Sequence, residues 1–232
     1  SNKGGNIVAG QPTYLALMSY AEAWGAEIKW VPVDSGKGYD LKTIKESIDQ
    51  KTNMVFIANP NNPTGTLLNG DSLANFCEDV SKKTLVFCDE AYYDYINEKD
   101  YPSMDYLVRK GNNVIISRTF SKVYGMAGLR IGYLVLKPEL ADDLFGKYSP
   151  YGRPNIMAQT NVLAVAAASE ALKDNDFYKF SLKKANEEKD KIYKLLDYLD
   201  LKYVRSSTNF VFFESQQHID KLSAEMLKKG VR

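Results

Sequence analysis

Apolar residues come in short runs along this chain, separated by stretches of polar and turn-forming residues. The runs "NIVAG", "IKWVPV", "MVFIA", "LVFCD", "NVIIS" and "RIGYLVL" each read as a strand. Between them lie segments with helical spacing of apolar positions, notably 40–50 and 70–82, with Asp40 and Asp71 standing where N-caps are expected. Alternating strands and helices predict an α/β fold in three layers, a mainly parallel sheet with helices on both faces. Several runs are apolar at consecutive positions, as strands buried on both sides require.

After "RIGYLVLKPEL" the pattern changes. Residues 155–172 predict a helix rich in small residues, and 176–199 a long one with Ile192, Leu195, Leu196 and Leu199 on one side. The mixed Lys and Glu of "KKANEEKDK" read as its solvated face. "YVRSSTNFVFFE" reads as a strand, 217–229 as an amphipathic helix, and Gly230 as its stop. The expected division is a large unit over 1–175, then a linker helix and the start of an incomplete smaller α+β domain over 176–232.

Composition acts mainly by exclusion. With 44% hydrophobic and 25% charged residues among 232, the chain has the make-up of a globular protein with a substantial core. Its net charge of +1 offers no electrostatic reason to expect nucleic acid or an anionic membrane as partner. No apolar run approaches the length of a membrane span. Cys77 and Cys88 lack metal-ligand spacing and read as buried free thiols of a reducing, cytoplasmic compartment. His218, the sole histidine, lies in the polar "SQQHID", which argues against a Ser-His triad and against a histidine metal cluster; no metal site is expected.

Three successive strand ends carry the candidate chemistry: "MVFIA" runs into "NPNNPTG", "LVFCD" into "DEAYYDY", and "NVIIS" into "RTFSK". In an open α/β sheet, ligands bind beyond the carboxyl ends of strands, so these clusters are expected to converge on one crevice. Each also has a plain structural reading. "NPNNPTG" is a turn by composition, Asp89 and Glu90 could cap a helix, Lys122 could be a surface lysine, and Arg130 could pair with an acid.

Taken together, "NPNNPTG", "DEAYYDY" and "SRTFSKVYGMAGLRIGY" resemble the ordered signatures of the fold-type I, pyridoxal-phosphate-dependent aminotransferases of classes I and II. "GQPTY" followed by "GAEIKWVPV" resembles the preceding segment in the histidinol-phosphate aminotransferase branch. The resemblance implies a cofactor, pyridoxal 5′-phosphate, held by residues 1–175. Lys122 matches the lysine that forms a Schiff base with it and then shuttles a proton. Asp89 matches the carboxylate facing the pyridine nitrogen. Tyr92 and Asn62 match the partners of the cofactor's ring oxygen, Tyr14 the stacking aromatic, and Thr119, Ser121 and Arg130 the phosphate ligands. On this match the glycines at 125 and 128 let the backbone turn Arg130 back toward the same anion.

The implied reaction is amino transfer between an amino donor, histidinol phosphate by preference, and a 2-oxo acid, in a homodimer. A decarboxylase of the same fold and a non-catalytic ligand-sensing domain are the alternatives. "SPYGRPNIMA", with Arg153, is a further candidate for the substrate side, against the reading of a surface-loop arginine. Family chains are longer at both ends, so these residues are expected to be part of a longer protein and to leave apolar surface uncovered.

Overall fold

The computed structural model describes residues 4–148 and 160–231. The "SPYGRPNIMA" stretch with Arg153, and the first residues of the helix expected over 155–172, lie outside them. Six strands form one sheet: β1 (Asn6–Gln11), β2 (Glu27–Pro32), β3 (Thr52–Ala58), β4 (Leu85–Asp89), β5 (Val114–Thr119) and β6 (Gly132–Val135). Their order is β2-β1-β3-β4-β5-β6, with β1 to β5 parallel and β6 antiparallel at one edge. All six expected strands are present.

Consecutive apolar residues in the strands serve two faces because successive side chains alternate across a sheet. On one face Val8, Val55, Ile57, Val86, Cys88, Val114 and Ile116 form the main core with three helices. These are α2 (Leu41–Glu46), α3 (Gly70–Val80) and α4 (Asp105–Arg109), contributing Ile44, Leu73, Phe76 and Leu107 among others. On the opposite face Ile7, Ala9, Phe56 and Ala58 meet Met18 of α1 (Ala16–Ala23). Cys77 of α3 and Cys88 of β4 are free and buried, with Sγ atoms 3.6 Å apart.

The chain continues through α5 (Pro138–Tyr148), α6 (Val162–Ala171) and α7 (Asn175–Tyr198) to a two-stranded ribbon of β7 (Tyr203–Val204) and β8 (Phe212–Phe213), then α8 (Ile219–Lys228). Tyr178, Leu182 and Ala185 of α7, with Phe210, pack on Tyr92, Tyr95 and Val123. The tail is tied to the "NPNNPTG" loop as well. Ser207 N donates to the carbonyl of Gly65 at 2.8 Å, and a Cβ on Gly65 would sit 2.5 Å from Ser206 Oγ. Only glycine allows this approach, at φ +73°.

Two local expectations are corrected. Asp71 does not cap α3; Asn69 does, accepting from Ser72 N, and Asp71 lies in the first turn where a carboxylate complements the helix dipole. Asp40 caps α2 as expected, accepting from the amides of Lys42 and Thr43. "YVRSSTNFVFFE" is not one strand but two two-residue strands around a polar loop. There the Ser206 and Thr208 hydroxyls bond to each other and to amides of 208 and 210, replacing ladder hydrogen bonds by local ones.

Apolar surface is left open in several places: Trp24 is 90% exposed, Val162 78%, and the β6 edge shows Tyr133 and Leu134. The energetic weight of the fold therefore rests on the α2–α4 face. Leu73→Ala, in a fully buried site of that face, is expected to lower unfolding free energy by about 2–5 kcal/mol in urea titration. Trp24→Ser is expected to change it by no more than about 0.5 kcal/mol.

Candidate active site

The parallel strands β1, β3, β4 and β5 finish at the same end of the sheet. A cavity of about 300 Å³ lies at the carboxyl ends of β3, β4 and β5, with Tyr14 reaching it from the segment after β1, and is large enough for a small cofactor. Tyr14, Asn62, Asp89, Tyr92, Thr119, Ser121, Lys122 and Arg130 all line it. The eight residues expected at the cofactor are thus brought to one wall or another of a single cavity, while Arg153, the further candidate, lies outside the described residues. His218 heads α8 and is not among its lining residues.

The loops that deliver these side chains are fastened from beneath. Of the asparagines in "NPNNPTG", Asn59 donates to Tyr101 Oη at 2.8 Å and accepts from Leu68 N. Asn61 is buried; it donates to Pro12 O and Thr64 Oγ1 and accepts from Tyr39 Oη at 2.6 Å, with Thr13 joining the network. This network links the loop carrying Tyr14 to the loop carrying Asn62. The turn reading of the motif accounts for Asn59 and Asn61, whereas Asn62 turns to the cavity. Tyr14 is 49% exposed and lines the cavity, so it is not a core tyrosine.

Asp89 ends β4 and pairs in register with Ser117 of β5. Its Oδ1 accepts from Ser117 Oγ at 2.8 Å and from Ala91 N at 3.1 Å. Burial pushes the Asp89 carboxyl above its ordinary range, against the opposing pull of those two donors and of the Lys122 charge. Glu90 serves a different purpose. Buried, it takes Arg118 Nε at 2.8 Å and Nη2 at 2.7 Å, together with Ser103 Oγ and Met104 N. Arg118 in turn stacks 3.9 Å from the centre of the Tyr93 ring. The helix-capping alternative for Asp89 and Glu90 fails, because only a 3₁₀ turn, Tyr93–Tyr95, follows them.

Lys122 Nζ forms no hydrogen bond or ion pair with the described residues; it lies 5.1 Å from the centre of the Tyr92 ring. That ring is buried and held edge-on by Phe210, centroids 5.2 Å apart. The turn presenting Lys122 is closed by Gly125 N donating to Lys122 O at 2.9 Å, with Gly125 at φ +68°. Thr119 Oγ1 helps to shape it, accepting from Ser121 N at 3.0 Å, while its own proton has only a 3.5 Å contact to Ile131 O. Gly128 is not at a positive φ; the left-handed residue at the end of this turn is Arg130 itself, at φ 51°. Arg130 Nη1 donates to Ala127 O at 2.7 Å, and no acid among the described residues pairs with it. The cavity thus offers an amine, a carboxylate, a guanidinium, hydroxyls and an aromatic ring, the donor set for an anionic aromatic carbonyl compound.

Sequence reasoning did not single out Ser117, Arg118 or Glu90 as a working group. Their part depends on which residues of β4 and β5 stand opposite each other, and no short-range signal announces a register between strands far apart in the chain.

The family model for aminotransferases of class I and II matches residues 1–232, and the chain belongs to that family. It is 39% identical over 231 residues to a histidinol-phosphate aminotransferase of Moorella thermoacetica, a match covering 99% of this chain and 58% of the relative. Against the enzyme of that name from Bacillus cytotoxicus it is 37% identical over 229 residues, covering 99% and 60%. The chain therefore spans about three fifths of the length of these curated relatives. The crystal structure of histidinol-phosphate aminotransferase from Sinorhizobium meliloti in complex with pyridoxal-5′-phosphate superposes with a TM-score of 0.88 at 26% identity, covering 100% of this chain and 62% of that one.

A raised carboxyl value makes the folded state the better proton binder. In the ligand-free protein, Asp89 therefore costs stability progressively as pH rises from its ordinary value of 3.8 through the raised folded value. Asp89→Asn is expected to remove that loss, so the stability of the parent relative to the variant falls across this window and is flat above it. Urea midpoints of both proteins measured against pH check this; a difference independent of pH would contradict it.

Proposed function

We propose that this member of the class I and II aminotransferase family is a pyridoxal 5′-phosphate-dependent transaminase. It moves an amino group between an amine of the histidinol-phosphate type and a 2-oxo acid. The observation that carries this reading is the sharing of one cavity by a lysine amine without a hydrogen-bond partner among the described residues, a part-buried carboxylate and an arginine without an acid partner among them. That combination fits a small aromatic aldehyde with a basic ring nitrogen and a phosphate.

When bound, the cofactor supplies a conjugated ring that takes up the electron pair released at the substrate's α-carbon. The chain's own residues do the rest. Asp89 holds a proton at the ring nitrogen, and its burial strengthens the attraction between the two charges. Tyr92 Oη and the Asn62 amide would hold the ring oxygen, and the Tyr14 ring would cover a face of the heterocycle. Ser121, Thr119 and Arg130 bind the phosphate, Arg130 supplying the charge that offsets it. Lys122 Nζ is the amine that would hold the cofactor's aldehyde carbon and would accept and return the proton at the substrate's α-carbon.

In this reading residues 1–175 are the cofactor-binding domain, and 176–232 a linker helix with the start of a smaller domain. A homodimer in the cytoplasm is part of the same proposal. The exposed apolar residues of α6 and the β6 edge are consistent with surface that is covered in the assembled protein. Among the described residues no helix is long and apolar enough to cross a membrane.

Borohydride reduction of the full-length protein with pyridoxal phosphate, followed by peptide mapping, is expected to tag Lys122. A tag elsewhere, or none, overturns the assignment. Lys122→Ala is expected to lower the amino-transfer rate by about 10²–10⁴-fold or more, and Arg130→Ala to weaken cofactor binding by about 10–100-fold. In half-reactions with a panel of donors, histidinol phosphate is expected to react faster than aromatic amino acids; the reverse order would remove the substrate assignment and leave the cofactor chemistry standing.

A further inference from the structure

The two hydrogen bonds to Asp89 fall on one oxygen. Ser117 Oγ, at 2.8 Å, and Ala91 N, at 3.1 Å, both donate to Oδ1, while no described residue donates to Oδ2. No buried side-chain oxygen or nitrogen among the described residues lacks a partner, so Oδ2 is not sealed in the protein; it opens to the cavity that Asp89 lines. Two donors on one oxygen fix the plane of a carboxylate and leave the other oxygen's lone pairs free. They come from rigid places: Ala91 is two residues on in the same chain segment, and Ser117 is the register partner of Asp89 on the neighbouring parallel strand.

We infer that Ser117 is a positioning residue of the active site, its hydroxyl orienting the Asp89 carboxylate so that Oδ2 is presented to the ring nitrogen of the bound cofactor. The inference rests on the proposed function, in which Asp89 faces that nitrogen. Ser117 acts through Asp89: its carbonyl accepts from Glu90 N at 3.0 Å, and its hydroxyl makes no other hydrogen bond among the described residues. A donor on the ionised carboxylate also stabilises the charged form, so Ser117 opposes the upward push of burial on Asp89. The same hydroxyl thus sets both the direction of the carboxylate and its willingness to stay charged. Other charged or titratable groups near Asp89 are Lys122, Arg118, Arg130, Tyr14 and Tyr92 on the cavity wall, Cys88 and Glu90 on either side of it in the chain, and Tyr39 from the loop before α2. The Ser117 variants leave all of these in place.

The test compares the full-length parent protein with Ser117→Ala and Ser117→Thr, the second keeping the hydroxyl. In the cofactor-free proteins, carbon NMR of the Asp89 carboxyl is expected to show its titration moved upward by about one pH unit in Ser117→Ala and returned toward the parent in Ser117→Thr. With pyridoxal phosphate carrying ¹⁵N in the ring, the ring-nitrogen shift is expected to move in Ser117→Ala toward stronger sharing of its proton with the more basic Asp89 carboxylate, and to return in Ser117→Thr. The cofactor dissociation constant is expected to rise about tenfold.

If Lys122 is tagged in all three proteins while Ser117→Ala titrates and binds like the parent, the role of Ser117 is overturned and the function stands. If Lys122 is not tagged in the parent and the ring nitrogen ignores Asp89→Asn, the function itself fails and takes this inference with it. Should Ser117→Ala not fold, Ser117→Cys carries the same expectations, since it keeps the size but offers only a weak S–H donor.

Discussion

Parallel pairing of β1, β3, β4 and β5 is the constraint on which the rest of this structure depends. Parallel strands must all finish at the same end of the sheet, so residues that follow them are gathered at one edge whatever their separation in the chain. Tyr14, Asn62, Asp89 and Lys122 each stand at or a few residues past such an end, and they meet around one cavity. The apolar interior of the strands holds this register in place, since a slip by one residue would exchange the Val8, Val55 and Ile57 face for the Ile7 and Phe56 face.

A carboxylate at the end of a buried strand is costly to keep charged, and the site shows how neighbouring residues divide that burden. Glu90 is satisfied internally by Arg118, Ser103 and Met104, and its role is to lock the start of the loop. Asp89, one residue earlier and on the other side of the chain, receives only two donors on a single oxygen. Incomplete satisfaction is a defect in a structural carboxylate and a requirement in one that must still accept a ligand. The same contrast separates Asn61, fully engaged with Pro12, Thr64 and Tyr39, from its neighbour Asn62, which lines the cavity.

The tail of the chain contributes to the site through packing. Phe210 fixes the Tyr92 ring, Tyr178 donates to Asp94 at 3.0 Å, and Ser207 binds the carbonyl of Gly65 in the loop that carries Asn62. These contacts couple the position of α7 and the β7–β8 ribbon to two residues of the cavity wall. Movement of that unit would be felt at Tyr92 and Asn62 first.

Much of this was legible in the sequence by itself. The apolar runs carry their strands because a strand buried on both faces favours apolar side chains at consecutive positions. The polar clusters after three of those strands name the cavity's residues, because chemistry at this kind of site is confined to strand ends. Local capping was legible where the competing acceptors were few, as at Asp40, and misread at Asp71, where Asn69 stood two residues earlier in the chain and took the cap. What only the tertiary structure decided was pairing across distance: Asp89 with Ser117, Glu90 with Arg118, Gly65 with Ser206 and Ser207. The physical reason is that a residue's type states which bonds it can form, whereas the partner is chosen by strand register and loop closure, which are properties of the whole packed chain.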